Sequence, residues 1–406
     1  MARPVLLRRR PGLRGSRSQL LFTLVGVALG LAVPTITAGP QVPGRQVSDM
    51  LLALGFGVLG TSVVIFSLLF LVVQWAHTSF TPRLTLFREA PVVWRTFAFA
   101  IGLAVYCVTA ALAIAGRQRV TAFVPIVAGL LALVLLALLR ILQLRAFAAI
   151  QLAPVLHAIT ERGSAILEAL NAQRAASTAT APTAAPLPVR RSTVRWPESL
   201  AVLQQVDTDR LLAAAQAAGA VVVLHTVPGA TLSRGAAVAD VHGADLPAGA
   251  VLGSLVTGAE RTFDQDPLLA FRLIADIVLR SLSAAVNDPA SAVQGLDCLE
   301  DLLGGPAAEQ TGTPLTLADR AGVPRLVVEV PDWEEYLRTG LDDVIAAAVR
   351  IPMVLLRLRE LLERLLLRSP AHRRDLLGRR LAWVERALAE GFPLLWQEAG
   401  PGAGPG

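Results

Sequence analysis

Four apolar runs in the first third of the chain set the terms for everything that follows. They lie at about 20–38 (LLFTLVGVALGLAVPTITA), 50–74 (MLLALGFGVLGTSVVIFSLLFLVVQ), 96–115 (TFAFAIGLAVYCVTAALAIA) and 120–139 (VTAFVPIVAGLLALVLLALL). Each approaches or exceeds the roughly 20 residues that a helix needs to cross a bilayer's hydrocarbon core. Lipid offers no partner to a free backbone amide or carbonyl, so such runs fold as helices. The first is long for a signal peptide and is followed by further runs, so it reads as an uncleaved span. The chain is 54% hydrophobic and only 17% charged, more apolar than a soluble domain. The interiors of the four runs contain no Asp, Glu, His or Arg. Buried ionisable groups mark proton relays and coupled-ion sites, so transport through a single copy is not expected. Gly55, Gly57 and Gly60 lie near one face of the second run and form a candidate seam for close helix packing. Pro34 and Pro125 either kink the first and fourth spans or mark their ends.

Arginine sets the orientation. Arg3, Arg8, Arg9, Arg10, Arg14 and Arg17 precede the first span, the 39–49 loop has only Arg45, and the 75–95 loop has Arg83, Arg88 and Arg95. Arg140 and Arg145 follow the last span, while Arg117 and Arg119 in the other short loop run against the trend. The bias toward basic residues on the inner side predicts a cytoplasmic basic N-terminus (1–19), a cytoplasmic 75–95 loop and a cytoplasmic remainder. The chain has no lysine, which excludes P-loop, Schiff-base and lipoyl- or biotin-carrying lysine chemistry. The net charge of +6 belongs with span-flanking arginine rather than nucleic-acid binding. The partners expected are the lipid bilayer and further copies of the chain; no cofactor and no metal are expected. Cys107 and Cys298 have no neighbours at metal spacing. His225 and His242 flank a strand-like stretch where they could meet, but two lone histidines do not make a metal site.

The fold expected is a four-helix transmembrane domain (20–140) followed by a mixed α/β domain with a small β-unit and then mainly helices. A helical extension (141–171) and an Ala/Thr/Pro linker (172–190) lead into the cytoplasmic domain at 191–392, with a disordered tail at 393–406. Asp207 caps a helix that Gly219 ends. Strands are predicted at 220–226, 236–241, near 250–256 and at 325–330. The turns Pro228-Gly229 and Arg234-Gly235 between strands look like the half-barrels of lipoyl-type carriers. Without a lysine, the unit is structural or a docking surface. Asp332 with Glu335 forms a capping box for a helix continuing to 345, and helices follow at 351–368 and 371–391.

The candidate functional or structural corner comprises Asp266, Asp276, Arg280, Asn287, Asp288 and Pro289. Asp266-Pro267 and Asp288-Pro289 each open a helix, since Asp accepts orphan amides and Pro suits the first turn. Arg272, Asp276 and Arg280 recur every fourth residue on a helix predicted over 267–286, and Asn287 tolerates the left-handed conformation where that helix ends. Capping alone accounts for Asn287, Asp288 and Pro289. The alternatives are a ligand or subunit contact, or a divalent cation held through oxygen. There is no Gly-x-Ser-x-Gly, His-Glu-x-x-His, dinucleotide glycine fingerprint or Cys-x-x-Cys, so no catalytic motif is found, and a membrane enzyme using the Asp276, Arg280, Asn287 and Asp288 corner stays open as a third reading.

Three segments resemble the bacterial membrane-protein family designated domain of unknown function 2254 (DUF2254), over roughly 20–390. They are HTSFTPRL at 77–84, VDTDRLLAAA at 206–215 leading into VPGATLSRGAAVADV, and RTFDQDPLLAFRLIADIVLRSLSAAVNDPASAVQGLDCLEDLL at 261–303. Thr81 stands where a serine often precedes the proline, and Ala284-Ala285-Val286 before Asn287 is a minor departure. The resemblance implies the four-span topology and the cytosolic domain, marks Pro82 and Arg83 as a membrane-interface motif, and brings no activity with it. The function expected is an oligomeric channel or transport-related protein of the bacterial plasma (inner) membrane, with a cytoplasmic assembly or gating domain. The alternative is a membrane-anchored sensory or scaffold protein that binds a ligand or partner through that domain.

Overall fold

The structure, a computed structural model, describes residues 14–36, 38–79, 91–180, 187–309 and 312–394. They divide between Val155 and Leu156 into a membrane unit and a second unit. The tail expected to be disordered is described only as far as residue 394.

The membrane unit contains α1 (Arg14–Ala32), α2 (Gly44–Ser79), α3 (Pro91–Ile114) and α4 (Phe123–Ile150). All four carry stretches long and apolar enough to cross a bilayer. Helix α3 is the centre: 56% of its apolar stretch is buried, against 11–22% in the other three. Leu51 of α2, Leu103, Tyr106, Cys107 and Ala110 of α3, and Val124 and Ala128 of α4 share the core. The Tyr106 hydroxyl donates to the Val124 carbonyl at 3.0 Å, which satisfies a polar group that apolar surroundings would otherwise penalise.

The closest seam is not the one expected from α2. A β-carbon on Gly26 would overlap the Gly102 carbonyl, and one on Gly30 would overlap Thr109. These are close α1–α3 contacts, which small residues permit in lipid. On α2, Gly55 does approach the Cys107 β-carbon, but Gly57 and Gly60 have nothing within 4 Å of where a β-carbon would stand. The signal for the true seam was the spacing of Gly26 and Gly30, one helical turn apart.

The two short loops pair with each other through β1 (Gln41–Pro43) and β2 (Arg119–Thr121), antiparallel. Arg117, which ran against the charge trend, donates to the Pro34 carbonyl at 2.9 Å. Its position has a local use at the end of α1. Pro34 sits in the 3-10 turn that ends α1, and Pro125 sits in the first turn of α4, so both prolines mark ends rather than kinks.

Helix α4 ends at Ile150, Gln151 turns extended (ψ 134°), and α5 (Leu152–Thr180) begins. The helical extension expected at 141–171 is therefore two helices. The second runs into the Ala/Thr/Pro segment read as linker, where alanine favours helix.

The second unit then builds two sheets. Strands β3 (Arg190–Arg195), β5 (Val221–Leu224), β7 (Ala237–His242), β9 (Leu315–Ala318) and β10 (Pro324–Val328) form a five-stranded sheet in the order β3-β7-β5-β10-β9. All its pairings are antiparallel except β5 with β10. Strands β4 (Ala201–Val206), β6 (Thr231–Leu232) and β8 (Leu255–Gly258) form a second sheet in the order β6-β4-β8. Leu203, Val206 and Leu232 of the smaller sheet share one core with Val222, Leu224, Val241 and Leu326 of the larger. The strands around the two glycine turns thus separate into different sheets, which replaces the half-barrel expectation.

Helix α6 (Thr208–Ala218) is capped by Asp207, which accepts from the Arg210 amide at 3.1 Å, and ends at Gly219 with φ 69°. The stretch expected as a strand near 250–256 is instead the short helix α7 (Ala248–Leu252) followed by β8. An apolar run without alternation does not distinguish a strand from a buried helical turn. Here Gly253 and the Ser254 hydroxyl bond back to Gly249 and Ala250 and close the helical turn.

The remainder is helical: α8 (Leu268–Ser281), α9 (Pro289–Gly304), α10 (Trp333–Leu337), a π-helical turn (Arg338–Asp342), α11 (Asp343–Ala347), α12 (Pro352–Arg368) and α13 (Ala371–Gly391). Helix α8 buries Leu269, Phe271, Leu273, Ile274, Ile277 and Val278. Gly295 of α9 sits so close to Val278 that a β-carbon there would overlap it.

Candidate functional site

The described residues singled out from the sequence fall at both ends of α8 and, for Asp276, midway along it. At the N-terminal end, Asp266 is 1% exposed. Arg261 grips its carboxylate with two bonds, Nε to Oδ2 at 2.5 Å and Nη2 to Oδ1 at 2.8 Å. Oδ1 also accepts from the Leu268 amide at 3.1 Å. Asp266 therefore caps the first turn of α8, with Pro267 in the position where no amide hydrogen is needed. Burial pushes the Asp266 carboxyl upward, against the opposing pull of Arg261 and the α8 amides.

Two neighbours complete this joint. Gly229, at φ +93°, lies against the same carboxylate, with no room for a β-carbon. Gln265 bonds both backbone groups of Val206, accepting from its amide at 2.9 Å and donating to its carbonyl at 3.1 Å. The side-chain amide thus acts as a short extra strand on β4. Through Asp266 and Gln265, α8 is fastened to the turn before β6 and to the end of β4. Arg261, Gln265 and Gly229 were not picked out as site residues. Their signal was the density of polar residues in RTFDQDP, directly before an apolar helix.

At the C-terminal end, Asn287 has φ 49° and is the one non-glycine residue with positive φ among those described. Its amide donates to Ser283 O, and the Asp288 amide to Ser281 O, both at 2.8 Å. Asp288 caps α9, accepting from the Ser291 amide at 3.1 Å and its hydroxyl at 2.6 Å. These bonds, the Ser291 hydroxyl first, hold the Asp288 carboxyl below its usual range. Pro289 is the first residue of α9. Helix α8 itself stops at Ser281 rather than 286, and Leu282–Val286 forms the turn between the helices.

Midway along α8, Arg272 pairs with Asp276 at 2.9 Å and with Asp343 of α11 at 3.1 Å. Arg280 is half-buried; among the described residues no acid lies within ion-pair distance of it, and its Nε has no hydrogen-bond partner. Fourteen helical residues separate Asp266 from the Asn287 corner, about 20 Å at the helical rise. The expected set is therefore not one cluster, and its carboxylates do not converge on a cation.

His225 and His242 do not meet either. Strand β7 pairs with β5 so that His242 faces Val221 while the His225 amide reaches Val238, at opposite ends of the ladder. His225 Nε2 instead lies 3.0 Å from Asp240 Oδ2. Asp240 also accepts from Thr193 at 2.5 Å and Arg190 at 3.3 Å. The Thr193 hydroxyl first, with His225 and Arg190, lowers the Asp240 carboxyl to about 2. Pro82 and Arg83 lie outside the described residues.

The family described as "Predicted membrane protein (DUF2254)" matches residues 17–364. Two relatives, from Mycobacterium bovis and Mycobacterium tuberculosis and both described as uncharacterized proteins, are each 28% identical over 379 residues, covering 83% of this chain and 69% of the relative. No solved structure matches the chain. The joint at Asp266 draws together the segments at 206, 229 and 261–268 that carried the resemblance, and the match spans both the apolar helices and this joint. The chain belongs to the DUF2254 family of predicted membrane proteins.

Proposed function

We propose that this protein is a membrane-anchored scaffold or sensor, in which the four helices hold the second unit at the bilayer and that unit binds a ligand or partner. The filling of the membrane unit supports this reading. The positions between its helices are occupied by Leu51, Leu103, Tyr106, Cys107, Ala110 and Ala128, and the Tyr106 hydroxyl is taken up by Val124 O. A conduit through one copy needs groups that replace an ion's hydration, and these side chains do not offer them. The arginine distribution supports placing the N-terminus and the second unit on the cytoplasmic side of a bacterial plasma membrane. The β1–β2 pairing, which holds the two short loops together, fits their lying on one side, and the Arg117 guanidinium in one of them is taken up by the Pro34 carbonyl.

A second reading, an oligomeric channel with the second unit assembling or gating it, draws on Gly57 and Gly60, whose faces are open for close approach. Flux of K⁺, Na⁺, H⁺ and Cl⁻ from liposomes carrying the full-length protein tests both, alongside its mass in nanodiscs. The anchor reading expects flux no greater than from empty vesicles and a small assembly. A closed ring of several copies that conducts would overturn it.

A further inference from the structure

An open groove of about 400 Å³ lies between α13 on one side and α10, the π-helical turn and α11 on the other. That volume falls in the range of small-molecule sites. Ile345, Ala346 and Leu376 line it with apolar surface, and Trp383 of α13, 38% exposed, presents its indole there. The π-helical turn Arg338–Asp342 forms part of the wall, and π-turns occur disproportionately at functional sites.

The charges in the groove are unequal in what they leave free. Each guanidinium nitrogen of Arg380 is engaged: Nε and Nη2 donate to Asp342 at 2.6 and 2.9 Å, and Nη1 to the Leu376 carbonyl at 3.1 Å. Arg379 has its own acid, Asp375, at 3.1 Å. Glu334 is exposed and, among the described residues, has no basic group within ion-pair distance. With each arginine paired to an aspartate, the carboxylate in the groove without an ion-pair partner among the described residues is Glu334, and the groove also presents an indole. A carboxylate and an aromatic ring lining one groove are the recognition chemistry of an organic cation.

We propose that this groove binds a small organic ammonium ion with an apolar body, the charge toward Glu334 and the body against Trp383, Ile345 and Leu376. The proposal rests on the reading of the second unit as the ligand-binding part of the protein. Leu376, Arg379, Arg380 and Trp383 lie beyond residue 364, where the family match ends.

The test uses full-length protein in nanodiscs, with phenethylammonium as the probe, 2-phenylethanol as its neutral counterpart and empty nanodiscs subtracted. Saturation-transfer NMR reads both affinities. Wild type should prefer the cation by about threefold, the scale of one exposed charge contact. Glu334→Gln should remove the preference. Trp383→Ala should weaken both probes, while Trp383→Phe retains most of the binding. Ala346→Phe, at an exposed helical position, should fill the groove and block both. Equal binding of the two probes by wild type, a preference that survives Glu334→Gln, or binding that survives Ala346→Phe would each overturn the proposal. A protein that neither conducts ions nor prefers the cation would leave the anchor reading standing and remove this site.

Discussion

The carboxylate of Asp266 lies against the α-carbon of Gly229, so closely that a β-carbon on residue 229 would overlap Oδ2. A glycine turn between strands and the first turn of α8 are thereby one joint. Gly229→Ala meets two penalties there. The backbone conformation at φ +93° costs a non-glycine residue about 1–3 kcal/mol, and the new methyl must displace a carboxylate already held by Arg261. The amides of α8 and β4 should exchange with deuterium sooner in the variant, while those of α1–α4 are unchanged. Unaltered exchange at α8 would mean that the joint does not hold the helix.

Arg261→Met tests the other side of the same joint. It leaves the Asp266 carboxylate buried without its cation, a loss that runs to about 3–5 kcal/mol for buried pairs. Arg261 is itself 29% exposed, so water can reach the gap and the lower end of that range is expected. The double variant Arg261→Met with Asp266→Asn should recover part of the loss, because no uncompensated charge remains. Chemical denaturation of the second unit, followed by exchange at α8, reads all three; a double variant no better than the single would place the loss outside the ion pair.

At the opposite end of α8, the Asn287–Asp288 corner is explained by capping, and capping has a distinctive substitution pattern. Asp288→Ala should destabilise α9 by about 1 kcal/mol, whereas Asp288→Ser, still a competent cap, should cost much less. Asn287→Gly should be tolerated because φ is 49° there, and Asn287→Val should not. Thermal midpoints of the four variants decide it. If the Asp288→Ser protein folds like wild type but loses a function that Asp288→Ala also loses, the carboxylate has a role beyond the cap.

What the sequence disclosed and what it hid divide along chain separation. The spans, the Asp207 and Asp332 caps, the Gly219 stop and the Asp288-Pro289 start of α9 rest on residues within a few positions of one another, and each is where it was expected, whereas α8 ends five residues short of the expected 286. The Gln265–Val206 bonds join residues 59 positions apart, and the parallel β5–β10 pairing aligns Val222 with Leu326. Nothing local specifies either. Strand β9 and the two-sheet division stayed hidden for the same reason, and α7 because its apolar run has no periodicity to read.

The Asp240 cluster links the five-stranded sheet to pH. Its carboxyl is lowered from 3.8 to about 2, with the Thr193 hydroxyl the largest cause. An acid with a depressed folded-state pKa stabilises the fold above its unfolded value, and that stabilisation is lost as pH falls through the folded one. The window is therefore between about pH 4 and pH 2. Thr193→Val removes the principal bond, so the carboxyl should titrate nearer 3.8 and acid unfolding of the second unit should begin at higher pH. Far-UV circular dichroism across that window gives the comparison. A midpoint unmoved by the substitution would show that Thr193 does not set the carboxyl's titration.

The membrane unit offers the sharpest separation between the two functional readings, because its glycines fall into two classes. Gly26 and Gly102 hold α1 and α3 together backbone to backbone; a β-carbon on Gly102 would come within 2.7 Å of the Phe22 carbonyl oxygen. Gly26→Leu should therefore push the helices apart and lower the melting temperature in detergent, with aggregation on size exclusion. Gly57 and Gly60 have open space around them, so Gly57→Leu meets nothing within one copy and replaces a poor helix former by a good one. In a protein that works as a single anchored copy, Gly57→Leu should be neutral or slightly stabilising. If α2 instead packs against α2 of another copy at these glycines, the leucine blocks the approach and the particle in nanodiscs becomes smaller. Loss of the assembly with Gly57→Leu, in protein as heat-resistant as wild type, would move the case from anchor to shared pore.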